Sequence, residues 1–251
     1  MMEHVILEAS SYAAEIDHLI DLVFVIVGVW FLAAEALLFY FIIHYRRKKD
    51  TKAGYVTGES HNHTKWIHLA HYAVVVCDLF ILYFAMMAWY HVKQELPQAE
   101  STVRIVGEQW AWKFTDPGLD NQLDTADDIV TVDELHLVVN TVYHFKLEAK
   151  DVVHSFSVPV FRLKQDAIPG RVITGWFEPT KVGEYDIQCT QMCGVGHGIM
   201  GALLIVETKE QHKAWLLKMS GRSASTQASI ESAKPDSSQN NKSNSGLITK
   251  K

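Results

Sequence analysis

Leu22–Ile43 reads LVFVIVGVWFLAAEALLFYFII, with Glu35 as its one formal charge. At 1.5 Å per helical residue, a run of this length spans about 33 Å, enough for a hydrocarbon core about 30 Å thick. In lipid the backbone must satisfy its own hydrogen bonds, so the run is read as a spanning helix. A second apolar run, Ala70–Val92, contains Asp78 and is flanked by Trp66, Trp89 and Tyr90. Aromatic residues of this kind settle at the headgroup level. A secretory signal would start basic and be shorter. Met1–His18 instead has no Lys or Arg and carries Glu3, Glu8, Glu15 and Asp17. The loop between the runs holds Arg46, Arg47, Lys48, Lys49, Lys52 and Lys65, which places it in the cytoplasm. Residues 1–93 therefore form an N-terminal segment and a transmembrane hairpin, with spans over about 20–45 and 67–92, and both flanks of the hairpin lie outside.

The 48% hydrophobic composition conceals this uneven spread. From Thr102 to Thr208 the runs TVRIVGEQWAWKF, TVDELHLVV, VYHFKLEA, RVITGWFE, GEYDIQC and GALLIVET are β-rich, with Pro and Gly turn residues between them. Many short strands at this spacing predict a sandwich or barrel, and residues 94–220 form an exported domain. Residues 221–251 are rich in Ser, Asn and Lys, bury too little to offset ordering entropy, and are expected to be a disordered tail. A net charge of −6 argues against nucleic acid as a partner.

Cys189–Met200 reads CTQMCGVGHGIM, a C-x3-C-x3-H-x2-M array in a chain with three cysteines. Two thiolates, an imidazole and a thioether favour copper over hard cations. Methionine is a poor zinc ligand, and a blue-copper site uses one cysteine, not two. Two bridging thiolates hold two coppers, and the second imidazole must then come from elsewhere. His154 in KDVVHSFSVP, at the end of a β-like run, is the best candidate. The competing reading of the cysteine pair is a disulfide, since the domain lies on the outer side of the membrane. Cys77, in the second span, reads as packing.

The hairpin with outward termini, GEQWAWKF, DVVHSFSVP, KQDAIPGR and CTQMCGVGHGIM together resemble subunit II of the haem–copper cytochrome c oxidases over about residues 18–208. The resemblance implies an α+β membrane protein: the two-helix hairpin followed by a cupredoxin-like Greek-key β-barrel with a dinuclear copper A centre, two coppers per chain. Carried over by position, Cys189 and Cys193 would bridge the coppers, and His154 and His197 would be terminal ligands. Met200 and the backbone carbonyl of Gln191 would be the weak ligands. Electrons would arrive from cytochrome c at Trp110 and leave for haem in subunit I, where oxygen is reduced to water. The implied partners are that haem-bearing subunit, other oxidase subunits, cytochrome c and membrane lipid. The implied location is a bacterial inner membrane, with the copper domain on the periplasmic side.

Trp110 and Trp112 would share a face if both lay on one strand, which is the bland alternative for Trp110. Asp133, Glu134 and Asp151 could steer a basic donor. Many relatives of this kind carry Glu where Gln191 stands, and a neutral amide is a poor magnesium ligand, which speaks against that metal. The second span opens with His63, His68 and His71 in place of an acid that feeds a proton path in the family. The loop DPGLDNQLDTADDI fails the EF-hand template and reads as a solvated acidic loop. A nitric oxide reductase copper A subunit would share the ligand set, and a copper-free quinol oxidase subunit would lack it.

Overall fold

The computed structural model describes residues 5–49, 52, 54, 55 and 57–232, with side chains described for all of these except 63 and 222–232. Helix α1 (Ala13–His44) and helix α2 (His61–Trp89) are each long and apolar enough to cross a membrane, and α2 continues through a π-helical turn, Tyr90–Gln94. Phe24, Val27, Phe31, Phe39, Phe80 and Leu82 remain exposed, which suits hydrocarbon as the solvent. Along α2, Ala73, Cys77, Ile81, Ala85 and Ala88 lose exposure at helical spacing, and this stripe marks the seam with α1. Cys77 is thus a packing residue of the seam. At the outer end Glu15 and His91 meet at 2.6 Å. The His63 side chain and residues 233–251, the greater part of the expected disordered tail, lie outside what the structure describes.

The strands are β1 (Ser101–Glu108), β2 (Ala111–Asp116), β3 (Ile129–Val132), β4 (Glu134–Val138), β5 (Tyr143–Ala149), β6 (His154–Val158), β7 (Leu163–Ala167), β8 (Ile173–Phe177), β9 (Gly183–Cys189) and β10 (Gly201–Glu207). They form two five-stranded sheets, β3-β2-β1-β5-β8 and β4-β10-β9-β6-β7. Alternation drives the packing: Tyr143, Phe145, Leu147 and Ala149 of β5, and Val103 and Ile105 of β1, point inward. Phe156 of β6 is fully buried between them, with Trp112 at 5.5 Å and Phe114 at 6.3 Å edge-on.

Two runs that read as single strands are each divided. TVRIVGEQWAWKF is a hairpin with Glu108 paired to Ala111, so Gln109 and Trp110 form its turn. Trp110 and Trp112 therefore do not share a strand face: Trp112 is buried in β2 and Trp110 is 39% exposed. TVDELHLVV breaks at Asp133, which takes a left-handed φ of 56° and sends β3 and β4 into different sheets. The Asp133 carboxylate accepts the Trp112 backbone N–H at 2.8 Å, and its own N–H donates to the Trp112 carbonyl at 2.8 Å. That local bonding offsets the backbone strain.

The acidic loop is organised from within. Asp116 accepts from Gly118 N, Asp127 from Leu119 N and Asp120 N, and Asp128 from Asp124 N. Arg104 grips Asp124 through two hydrogen bonds of 2.9 Å. The Thr125 hydroxyl and these amides hold the Asp127 carboxyl below the usual range. These carboxylates close the loop.

The N-terminal segment is part of the sandwich as well as a lead into α1. Ala9 N–H donates to the Val160 carbonyl at 2.9 Å, Ser11 N–H to Glu178 at 3.1 Å, and Thr180 N–H to Ala9 at 2.9 Å. Tyr12 is buried against Trp176, with ring centroids 5.1 Å apart. Arg162, whose side chain is 6% exposed, bonds Asp17 twice at 2.6 Å.

Helix α3 (Lys209–Ser232) begins at a capping box, in which Gln211 and Thr208 exchange side-chain bonds to backbone N–H groups. It runs past Gly221 to Ser232. The docked first turns nucleate the helix, and Ala, Ser and Gln then extend it at little cost. Docking is polar: Glu207 receives both His136 and His212, at 3.1 and 3.0 Å, and Trp215 stacks on His136 at 4.1 Å. Burial opposes a charge on His212, but Asp116 and Glu207 outweigh it and raise its pKa. A raised pKa stabilises the fold fully below the ordinary histidine value near 6.5, and the contribution disappears as pH climbs through the raised value. Amide exchange in residues 209–220 is expected to be slower at pH 6 than at pH 9 after correction for intrinsic rates. Equal protection at both would refute this role for His212.

Candidate metal centre

The site lies at one end of the sandwich. β6 delivers His154 at its first residue and β9 delivers Cys189 at its last, and Phe156 pairs with Cys189 across the two strands. The loop to β10 returns on itself. Cys189 N–H donates to the Met200 carbonyl at 3.1 Å, and Thr190 N–H to Ser155 at 3.1 Å. A short 3-10 turn, His197–Ile199, brings His197 and Met200 back over the cysteines.

Ligand atoms of His154, Cys189 and Cys193 all lie within 4.8 Å of one another. The two sulfurs are 3.8 Å apart and belong to free thiols, so the disulfide reading is not what the structure contains. Cys193 Sγ is 3.7 Å from His197 Nδ1 and 3.7 Å from Met200 Sδ. Cys189 Sγ is 3.3 Å from the Gln191 carbonyl. His154, Cys189, Cys193 and Met200 are buried, His197 is half-buried, and the Gln191 side chain is exposed. The six positions singled out in the sequence thus converge on one place.

The donor set fits a soft metal. His154 is fully buried and its Nδ1 has no hydrogen-bond partner, an expensive arrangement unless something else occupies that lone pair. Its Nε2 donates to Asp151 at 2.8 Å, which fixes the tautomer and turns Nδ1 toward the sulfurs. Gly107 leaves room for the ring, since a Cβ there would sit 3.1 Å from it. Burial and the neighbouring Cys189 push the Cys193 thiol up, so a proton-replacing cation would relieve the pair.

Trp110 is seated on this loop. A Cβ at Gly196 would run into its ring, and a Cβ at Gly194 would lie 3.2 Å from it. Its indole N–H donates to the Cys193 carbonyl at 3.3 Å, and the Gln109 side chain donates to the same oxygen at 2.8 Å. Around it Met192, Val195 and Ile199 are exposed at 74%, 99% and 85%, an apolar rim beside a half-exposed tryptophan.

Two functional roles were not evident in the sequence. Asp151 was read as a steering charge, yet its carboxylate accepts from His154 and from Gln109 N–H at 2.7 Å. Burial works against its charge, but these bonds hold its pKa below the usual range. Asp133 likewise spends its carboxylate on Trp112. The spacing D-x-x-H in KDVVHSF was the available signal for Asp151; Gln109 left only its adjacency to Trp110.

Comparison with known proteins gives a consistent picture. Residues 101–208 match the family model for the cytochrome c oxidase subunit II periplasmic domain. The chain is 30% identical over 245 residues to an alternative cytochrome c oxidase subunit 2 of Bradyrhizobium diazoefficiens, covering 86% of this chain and 87% of that one. It is 26% identical over 243 residues to cytochrome c oxidase subunit 2 of Cereibacter sphaeroides, covering 85% and 78%. Among solved structures, the periplasmic domain of subunit II of cytochrome oxidase of Bradyrhizobium japonicum is 28% identical, with a TM-score of 0.44, over 51% of this chain and 99% of that one.

Proposed function

This chain belongs to the cytochrome c oxidase subunit II family, and from that premise we propose that it is the electron-entry subunit of a haem–copper oxidase. It is a membrane protein whose sandwich corresponds to the periplasmic domain of that family. The reading rests above all on one observation. Two free, buried thiols stand 3.8 Å apart, beside a fully buried histidine whose inward nitrogen has no partner.

Cys189, Cys193, His154 and His197 would hold two coppers, with Met200 and the Gln191 carbonyl as weaker donors. Copper held by these residues would supply one-electron transfer, and the soft, buried donor set would keep the rearrangement that accompanies it small. The protein supplies the rest. Asp151 keeps His154 in one tautomer and orientation. Burial of both sulfurs keeps water away from them. Trp110 presents an exposed face to an incoming donor and connects through its N–H to the Cys193 carbonyl. The donor is a cytochrome c, and the acceptor is haem in the large partner subunit, where oxygen is reduced to water. The basic loop around Arg46–Lys49 supports a cytoplasmic loop with the sandwich on the opposite, periplasmic side, and the membrane in this reading is a bacterial inner membrane.

The deciding experiment is metal analysis of the purified full chain, followed by oxygen and nitric oxide consumption of the purified complex with reduced cytochrome c. Two coppers per chain and oxygen uptake support the reading. Copper-free protein, or uptake of nitric oxide alone, defeats it. A second expectation concerns Trp110. Truncating an anchoring tryptophan typically costs about 2 kcal/mol, so Trp110→Ala should lower kcat/KM for the donor about thirtyfold while copper content stays at wild type. Unchanged kinetics would leave Trp110 as packing only.

A further inference from the structure

We infer that the cleft between α3 and the acidic loop binds a small organic monocarboxylate, its charge held by Lys209 and Lys213 and its apolar body lying against Leu119, Val138 and Leu216. The cleft shares no residue with the metal centre, and nothing in the electron-transfer reading calls for it.

The cleft has a volume of about 350 Å³, at the lower end of the range for small-molecule sites, about 300–1,000 Å³. Its lining comes from segments far apart in the chain: the first two turns of α3, the start of the acidic loop, and Tyr143 of β5. Much of that lining is fixed, since Asp116, Pro117, Gly118, Tyr143, His212 and Leu216 are all buried.

Charge decides what the cleft takes. Two acids line it, and both are engaged within the protein. Asp116 accepts the Gly118 N–H at 2.9 Å and faces His212 at 3.5 Å, and Glu100 accepts the Val142 N–H at 3.3 Å. Glu207 takes the other ring nitrogen of His212 at 3.0 Å. The two lysines are exposed, and among the described residues neither ammonium has a partner. Four residues apart, they share one face of α3. With Asp116 set against His212 and Glu100 against one lysine, one positive charge is left over, which matches a monoanion. Tyr143 adds a neutral donor. Its hydroxyl accepts the Val138 N–H at 3.0 Å, and no described acceptor takes its own proton. Burial raises its pKa, so that proton stays in place.

A second observation concerns Lys209. It is the first residue of α3, where a cation opposes the helix dipole, so the helix gains nothing from it there. The apolar side chains in the same cleft are equally unsuited to a bare inorganic ion. A ligand charged at one end and apolar at the other satisfies both parts of the lining.

The test is calorimetric titration of the full chain in a neutral maltoside detergent with hexanoate, inorganic phosphate and hexanol, each against a micelle blank. Hexanoate should bind saturably. Phosphate lacks the apolar body and hexanol the charge, so each should bind at least about tenfold more weakly. Lys209→Gln/Lys213→Gln should lose at least about tenfold in affinity for hexanoate while keeping its copper and its fold, because both side chains are exposed. Opening α3 dismantles the cleft, so hexanoate at ten times its Kd should slow amide exchange in residues 209–220 about elevenfold. Absence of saturable heat with hexanoate overturns the inference, as does wild-type affinity in the double variant. Phosphate or hexanol binding as tightly as hexanoate overturns the ligand class. Binding that leaves exchange in residues 209–220 unchanged puts the ligand elsewhere and overturns the site.

Discussion

Cys193→Ser is expected to give a chain that folds and inserts but binds copper at least about a hundredfold more weakly, a loss of about 3 kcal/mol for one strong soft donor. Cys193 is the centre of the donor set. Its sulfur lies 3.8 Å from Cys189 Sγ and 3.7 Å from both His197 Nδ1 and Met200 Sδ. Serine places a hard, weakly acidic oxygen at that hub, and copper prefers soft donors. The folding penalty is smaller: a buried hydroxyl short of partners costs about 1–3 kcal/mol, which a sandwich of this size tolerates. Copper per chain and far-ultraviolet circular dichroism separate the two effects. Met200→Leu provides the contrast. A weak donor tunes more than it binds, so that variant should keep its copper and shift its potential. Full copper in Cys193→Ser, or complete copper loss in Met200→Leu, would break the assignment of strong and weak donors.

Arg162→Ala should cost about 3–5 kcal/mol of stability, the range for removing one member of a buried ion pair. All five N–H groups of this guanidinium are used. Nε and Nη2 reach Asp17, Nη2 also reaches the Ile6 carbonyl, and Nη1 reaches the carbonyls of Leu7 and Pro159. Its loss strands a carboxylate whose side chain is 3% exposed and frees the segment that leads into α1. Arg162 also takes a left-handed φ of 56°, whose steric strain alanine would inherit and glycine would not. Arg162→Gly should therefore be about 1 kcal/mol less destabilising than Arg162→Ala, although it removes the same contacts. Denaturant unfolding of the detergent-solubilised chain, followed by tryptophan fluorescence, measures both. The reverse order would mean that the backbone strain is not real. Equal stability of Arg162→Ala and wild type would mean that the N-terminal segment contributes nothing to the sandwich.

Some of this molecule could be read directly from consecutive residues. The two spans depend on the apolarity of one continuous run each, and the basic loop between them sets their sense. The chemical character of the Cys189–Met200 array follows from which donors sit together, whatever the fold around them. What consecutive residues do not specify is where a strand stops when no Gly or Pro marks the place. The turn at Gln109–Trp110 and the break at Asp133 both fall inside β-rich runs, and both are held by bonds to residues far along the chain or across a hairpin.

Tertiary structure also decided how polar groups are spent. Asp151 and Asp133 look like surface charges in the sequence, and the fold assigns them to His154 and to the Trp112 backbone. The clamp of Arg162 on Asp17 joins positions 145 residues apart, and the seat of Trp110 on Gly194 and Gly196 joins β1–β2 to the metal loop. Periodicity and local composition report on neighbours within a turn or two. They carry no record of which distant segments the two sheets bring face to face, because that choice is made by packing the whole core at once.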